Sequence, residues 1–125
     1  MAHSDKKAPS SVHDLRSALA LLKTLPGEYV ETDTEVDPHA ELSGVYRYVG
    51  AGGTCQRPTR KNGPVMVFNN IKGFNDISVA IGLNGSRQRV SQFLQCEPAK
   101  LGHLLKDSVE NAIAPTMVQG AAGIG

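Results

Sequence analysis

Apolar positions recur along this chain with more than one period, and each change of period marks a new element. Leu15, Ala18, Leu19 and Leu22 follow at spacings of three and four, the apolar stripe of one helix. Ser11 is placed to cap that helix, and Asp14 sits three positions later in its first turn. Pro26-Gly27 stops it, so the helix is expected over about 12–25. From Glu28 to Val36 the period becomes two. Val30, Thr32, Thr34 and Val36 share one face, while Tyr29, Glu31, Asp33 and Glu35 share the other. A strand over 28–36 with one wet face follows. Three carboxylates on a strand face suit a metal or acid–base site, but no ligand-type partner lies nearby in sequence. A solvated face is the plainer reading.

Asp37-Pro38 reads as a helix start, with Asp37 accepting free N–H groups and Pro38 in the first helical position. Leu42, Val45, Tyr46 and Val49 form the stripe of a helix over 39–49, and Gly50 ends it through a left-handed backbone. The continuous apolar run Val65 to Phe68 predicts a short buried strand over 65–69. Turn chemistry follows at Asn69-Asn70 and Lys72-Gly73. Ile77, Val79 and Ile81 then alternate with Ser78 and Ala80 in a strand over 77–81. The short link predicts antiparallel pairing of the last two strands, and the longer one permits a right-handed parallel crossover. Ser86 caps a helix over 87–95, and Pro98 restarts one over 99–112 with Leu101, Leu104, Leu105 and Val109 on its apolar face. The fold class is therefore α/β, a small mixed sheet of about three strands flanked by helices. Residues 1–11 read as a disordered leader, 12–114 as the α/β domain, and 115–125 as a truncated linker or tail.

Composition narrows the function classes more than it selects one. The 125 residues include 40% hydrophobic and 20% charged positions, ordinary for one globular domain. A net charge of +1 gives no electrostatic reason to expect nucleic acid or an anionic membrane. No apolar run approaches the roughly 20 residues of a membrane span, and MAHSDKKAPSS lacks a signal peptide's apolar core. A cytoplasmic location is expected. Cys55 and Cys96 can pair on counting grounds, but a cytosolic chain rarely needs a disulfide. His3, His13, His39 and His103 are dispersed, without the close pairs of a zinc site.

The loop Gly50 to Pro64, GAGGTCQRPTRKNGP, carries the candidate chemistry. Its glycines free backbone N–H groups for an anion, and Arg57, Arg60 and Lys61 add positive charge. Gly52, Gly53, Thr54, Arg57 and Arg60 are the candidate anion-binding residues. The loop fails the dinucleotide fingerprint at Cys55, follows a helix where a strand is required, and has no G-K-[ST]. A solvated connector, or a loop docking on another part of a larger protein, are its alternatives. Arg87 and Arg89 beside the Ser86 cap pose the same choice between holding an anion and facing solvent.

The pieces DLRSALALL, ETDTEVDPHAELSGVYRYVGAGGT, RPTR, GPVMVFNNIKGF and SRQRV run in order through residues 13–115. Together they resemble the N-terminal segment of UbiD-family decarboxylases, nearest the bacterial hydroxyarylic acid branch acting on protocatechuate, gallate or 4-hydroxybenzoate. The resemblance implies a full-length enzyme using prenylated FMN, made by a partner flavin prenyltransferase, with a divalent metal, commonly Mn2+. It also implies a carboxylate–arginine–carboxylate network that passes protons beside the flavin. The family's catalytic, cofactor-binding and metal residues lie in later segments, and none is matched here. This chain is then expected to be an N-terminal domain or fragment, inactive alone and without a cofactor of its own. Its expected partner is the missing remainder of the decarboxylase or a complementary subunit of a split enzyme. A detached, non-enzymatic binding or assembly module is the alternative. Apolar surface left around Val65 to Phe74 or in the tail is expected, with self-association through it as a further possibility.

Overall fold

The computed structural model describes residues 12–53 and 63–120. In chain order it has α1 (Leu15–Lys23), β1 (Tyr29–Thr32), α2 (Glu41–Gly50), β2 (Val65–Phe68), β3 (Val79–Ile81), α3 (Arg87–Phe93), a 3-10 turn (Pro98–Lys100) and α4 (Leu101–Glu110). The sheet order is β1-β2-β3. Tyr29 to Thr32 run parallel to Val65 to Phe68, and β3 pairs antiparallel with β2. This is the mixed three-stranded α/β sheet that the periods imply. The leader at 1–11 lies outside the described residues, as do loop positions 54–62 and the last residues of the tail.

Local chemistry moves several boundaries. Asp14, not Ser11, caps α1: its Oδ1 accepts the Ser17 N–H at 2.7 Å, while the Ser17 Oγ accepts the Asp14 N–H at 3.1 Å. Strand β1 is four residues long because the Thr34 N–H turns back onto the Thr32 Oγ1 at 3.2 Å. Val36 rejoins the sheet through a single parallel bridge to Ile71. Helix α2 starts at Glu41, later than expected, because Asp37 uses its carboxylate locally. The Asp37 Oδ1 accepts the His39 N–H at 2.8 Å, and Ala40 occupies the cap position in a left-handed conformation, φ 67°. Gly50 remains helical. The left-handed turn falls instead at Gly52 and Gly53, φ 74° and 80°.

Strand β2 is buried on both faces, as the continuous apolar run requires. Met66 and Phe68 join Val36, Leu42 and Ile71 in the main core, flanked by Val45, Tyr46, Val49, Val79 and Ile81. Val67 points the other way, toward Leu15 and Leu19 of α1. Because Val65 to Phe68 is fully buried, the expected apolar surface does not begin there. Phe74, Ile77, Ile113, Met117 and Val118 are exposed. Ile77 also lies outside β3, which is three residues long. Among the described residues no helix is long and apolar enough to cross a membrane.

Candidate functional site

The glycine-rich loop leaves α2 with its first amides already engaged. The Gly52 N–H donates to the Val49 carbonyl at 3.0 Å and the Gly53 N–H to the Tyr48 carbonyl at 2.9 Å. These are bonds of a helix C-terminus, where carbonyls and the negative end of the dipole collect. Gly52 and Gly53 therefore have no free backbone donor in this arrangement. Thr54, Arg57 and Arg60 lie outside the described residues.

The other end of that loop is tied down by a residue expected at the surface. Ser86 caps α3 by accepting the Arg89 N–H at 3.3 Å, and Arg87 is exposed, its Nε donating to the Pro98 carbonyl at 3.0 Å. Arg89, by contrast, is 1% exposed. Its Nε donates to the Glu28 Oε2 at 2.9 Å and its Nη1 to the Gly82 carbonyl at 2.7 Å. Its Nη2 lies 2.8 Å from the same Glu28 oxygen and also donates to the Gly63 carbonyl. One guanidinium thus joins the start of β1, the exit of the glycine-rich loop and the turn after β3. The solvent-facing and anion-holding readings of Arg89 both give way to a structural clamp. No local pattern announces it, since Glu28 and Gly63 lie 61 and 26 residues away in sequence.

The wet face of β1 carries a connected polar row. The Asn69 Nδ2 donates to the Glu31 Oε1 at 2.7 Å and to the Asp33 Oδ1 at 3.0 Å, while the Ser78 hydroxyl donates to the Asn69 Oδ1 at 2.9 Å. The Tyr29 hydroxyl donates to the Glu31 Oε2 at 2.9 Å, and the Lys23 Nζ stands 3.5 Å from that oxygen and 5.0 Å over the tyrosine ring. The Asn69 amide, then the tyrosine hydroxyl, hold the Glu31 carboxyl below its ordinary range. Burial, then the hydrogen bond to Glu31, pushes the Tyr29 hydroxyl up. A carboxylate held ionised by such partners accepts hydrogen bonds but does not pass protons near neutrality. Among the described residues no group of three or more His, Cys, Asp or Glu is placed to hold a metal ion. Cys96 is a free thiol, and Cys55 lies outside the described residues.

Beside this row opens a groove of about 380 Å³. Val67, Ala80 and Ser78 line it from the sheet, Leu15 and Leu19 from α1, and Asp14 and Arg16 bring its charged groups. It is a half-open apolar recess with one hydroxyl in reach. No local pattern signals this recess, because Leu15, Leu19 and Val67 read simply as core positions of separate elements.

These features define a small α/β domain with a hydrogen-bonded polar row and a half-open recess, but no assembled catalytic group among the described residues. The chain belongs to the family of the 3-octaprenyl-4-hydroxybenzoate carboxy-lyase N-terminal domain, UbiD_N, whose profile matches residues 21–108. It is 54% identical over 108 residues to a gallate decarboxylase of Lactiplantibacillus plantarum, an alignment covering 86% of this chain and 22% of that protein. It is similar in structure to the apo 3,4-dihydroxybenzoic acid decarboxylase of Klebsiella pneumoniae, with TM-score 0.74 and 48% identity. The corresponding apo enzyme of Enterobacter cloacae gives TM-score 0.73 and 50% identity. Each structural match covers 86% of this chain and 22% of the other. The chain thus spans about a fifth of the length of these relatives.

Proposed function

We propose that this chain is the N-terminal domain of a prenylated-FMN-dependent, non-oxidative hydroxyarylic acid decarboxylase, and that it is inactive alone. The observation that carries the reading is the 54% identity to a gallate decarboxylase over 108 residues that amount to only 22% of that protein. The substrate class follows from the gallate and 3,4-dihydroxybenzoic acid decarboxylases to which the chain is similar. A cytoplasmic location and a flavin prenyltransferase partner belong to the same reading.

The described residues do not fit the implied groups. A flavin phosphate needs free backbone donors, and those of Gly52 and Gly53 are taken. Mn2+ needs several oxygen or nitrogen ligands, and no such group is gathered. The recess is half open, where a cofactor site is enclosed. When bound in an enzyme of this class, the flavin supplies an electrophilic ring for the electrons released with CO2. None of the described residues is arranged to hold it. The domain's part in the proposed enzyme is an α/β unit, tied together by the Arg89 clamp, against which the cofactor-bearing segments pack.

The test is co-expression with a flavin prenyltransferase, followed by an absorbance spectrum and CO2 assays on protocatechuate, gallate and 4-hydroxybenzoate. The expected result is colourless, inactive protein that gains activity only when the remaining decarboxylase polypeptide is supplied. Bound flavin and CO2 release from the chain alone would overturn the reading.

A further inference from the structure

Helix α4 is amphipathic, yet the later part of its apolar stripe, Leu105 and Val109, faces water. Leu101, Leu104, Leu105 and Val109 fall on one side at helical spacing. Leu101 is 7% exposed and Leu104 is half-buried, whereas Leu105 is 50% and Val109 79% exposed. The opposite side is complete in itself. The Lys106 Nζ stands 2.7 Å from the Glu110 Oε1, one turn on, and the Asn111 Nδ2 donates to the Asp107 Oδ1 at 3.0 Å. Beyond the helix every described residue from Ala112 to Gly120 is exposed, including Ile113, Met117 and Val118. An apolar stripe that begins in the fold and runs out into solvent marks a surface built to be covered.

A second copy of this chain is a poor match for that surface. Ten residues of helix are about 15 Å long, and one stripe of that length is far smaller than the ~800 Å² per partner that a standing dimer buries. A covalently linked partner needs much less area, because linkage raises its effective concentration into the millimolar range or above. Such a partner exists in the relatives, where the matched region is 22% of one continuous polypeptide. We propose that the apolar stripe of α4 is an interdomain docking surface, covered in the complete family decarboxylase by an apolar face of the remaining four-fifths of the polypeptide, the part outside the region matched here. The proposal rests on the reading of the chain as one domain of such an enzyme.

Thiol footprinting tests it. Val109→Cys and His103→Cys each add one reporter thiol, on the stripe and on the exposed polar side, and peptide-resolved mass spectrometry follows maleimide modification of each separately from Cys55 and Cys96. Rates are measured in this chain and in a fusion in which the chain replaces the matching fifth of the gallate decarboxylase. The thiol at position 109 is expected to react at least tenfold more slowly in the fusion, and the thiol at 103 at the same rate in both. Equal rates at 109 in both forms would overturn the proposal. So would slow labelling at 109 in the isolated chain that deepens with protein concentration, since that identifies a second copy as the cover. If the fusion does not fold, the comparison is made on this chain co-expressed with the remaining segment of the relative, with the same two outcomes. Gallate decarboxylation by the fusion is assayed in parallel. Activity with an unprotected position 109 defeats the docking surface alone, whereas protection without activity defeats the functional reading alone.

Discussion

Arg89 and Gly82 occupy opposite ends of one contact, and each is intolerant of change for its own reason. Truncation by Arg89→Ala leaves the Glu28 carboxylate, whose side chain is 20% exposed, and the Gly63 and Gly82 carbonyls without their donor. Removing one partner of a buried pair costs roughly 3–5 kcal/mol, and the solvent contact kept by Glu28 puts the loss near the lower end. At about 4 °C per kcal/mol, where the ranges for smaller and larger domains meet, the melting temperature should fall by about 12 °C in a thermal scan. Arg89→Lys should recover little, since an ammonium cannot reproduce the three-way fork. Gly82 has φ +91°, and a Cβ there would stand 2.5 Å from the Tyr46 hydroxyl and 2.7 Å from its ring. Backbone strain and overpacking together predict a loss of about 2 kcal/mol for Gly82→Ala, read from urea unfolding. Tyr46→Phe should not relieve it, because the ring carbons clash as well as the oxygen. Neither residue was legible in the sequence as structural. Arg89 looked like a surface cation beside a helix cap, and only the fold brings its partners together.

At the scale of elements, the sequence was most legible where period and burial agree. The apolar run at 65–68 and the stripes at 15–22 and 42–49 become β2, α1 and α2. Boundaries were less legible, because short polar side chains choose among several nearby backbone partners. Asp14 and Ser17 close the box that starts α1, and Asp37 spends its carboxylate on His39 before α2 begins. Those local bonds carry a pH signature. The Ser17 hydroxyl, then its backbone N–H, hold Asp14 below its ordinary 3.8, the His39 N–H does the same for Asp37, and Asn69 holds Glu31 below 4.5. Each folded value is depressed, so the stabilisation is present above the unfolded value and lost as pH falls through the folded one. The melting temperature should therefore decline as pH drops below 4.5 for Glu31 and then below 3.8 for Asp14 and Asp37. Glu31→Gln combined with Asp14→Asn should flatten that acid limb in a circular-dichroism titration. An unchanged slope would remove these two groups as its source.

For the whole molecule, strand order and direction were readable from link lengths, whereas the recess and the polar row were not. Val67, Ser78 and Ala80 are ordinary strand positions until α1 lies across them, and Glu31, Asp33 and Asn69 meet only through the parallel register of β1 and β2. The Arg89 clamp has a further consequence, in the order of folding. Its carboxylate partner lies 61 residues back along the chain, so its closure carries a large loop entropy unless the sheet already holds the ends together. The clamp should form after the folding barrier has been crossed. In a chevron plot, Arg89→Ala should then raise the unfolding limb by about the full loss in stability and leave the refolding limb where it was. A slowed refolding limb would place Arg89 in the folding nucleus instead. On this account a residue far from both chain ends governs how long the native state lasts, and has almost no say in how soon it is reached.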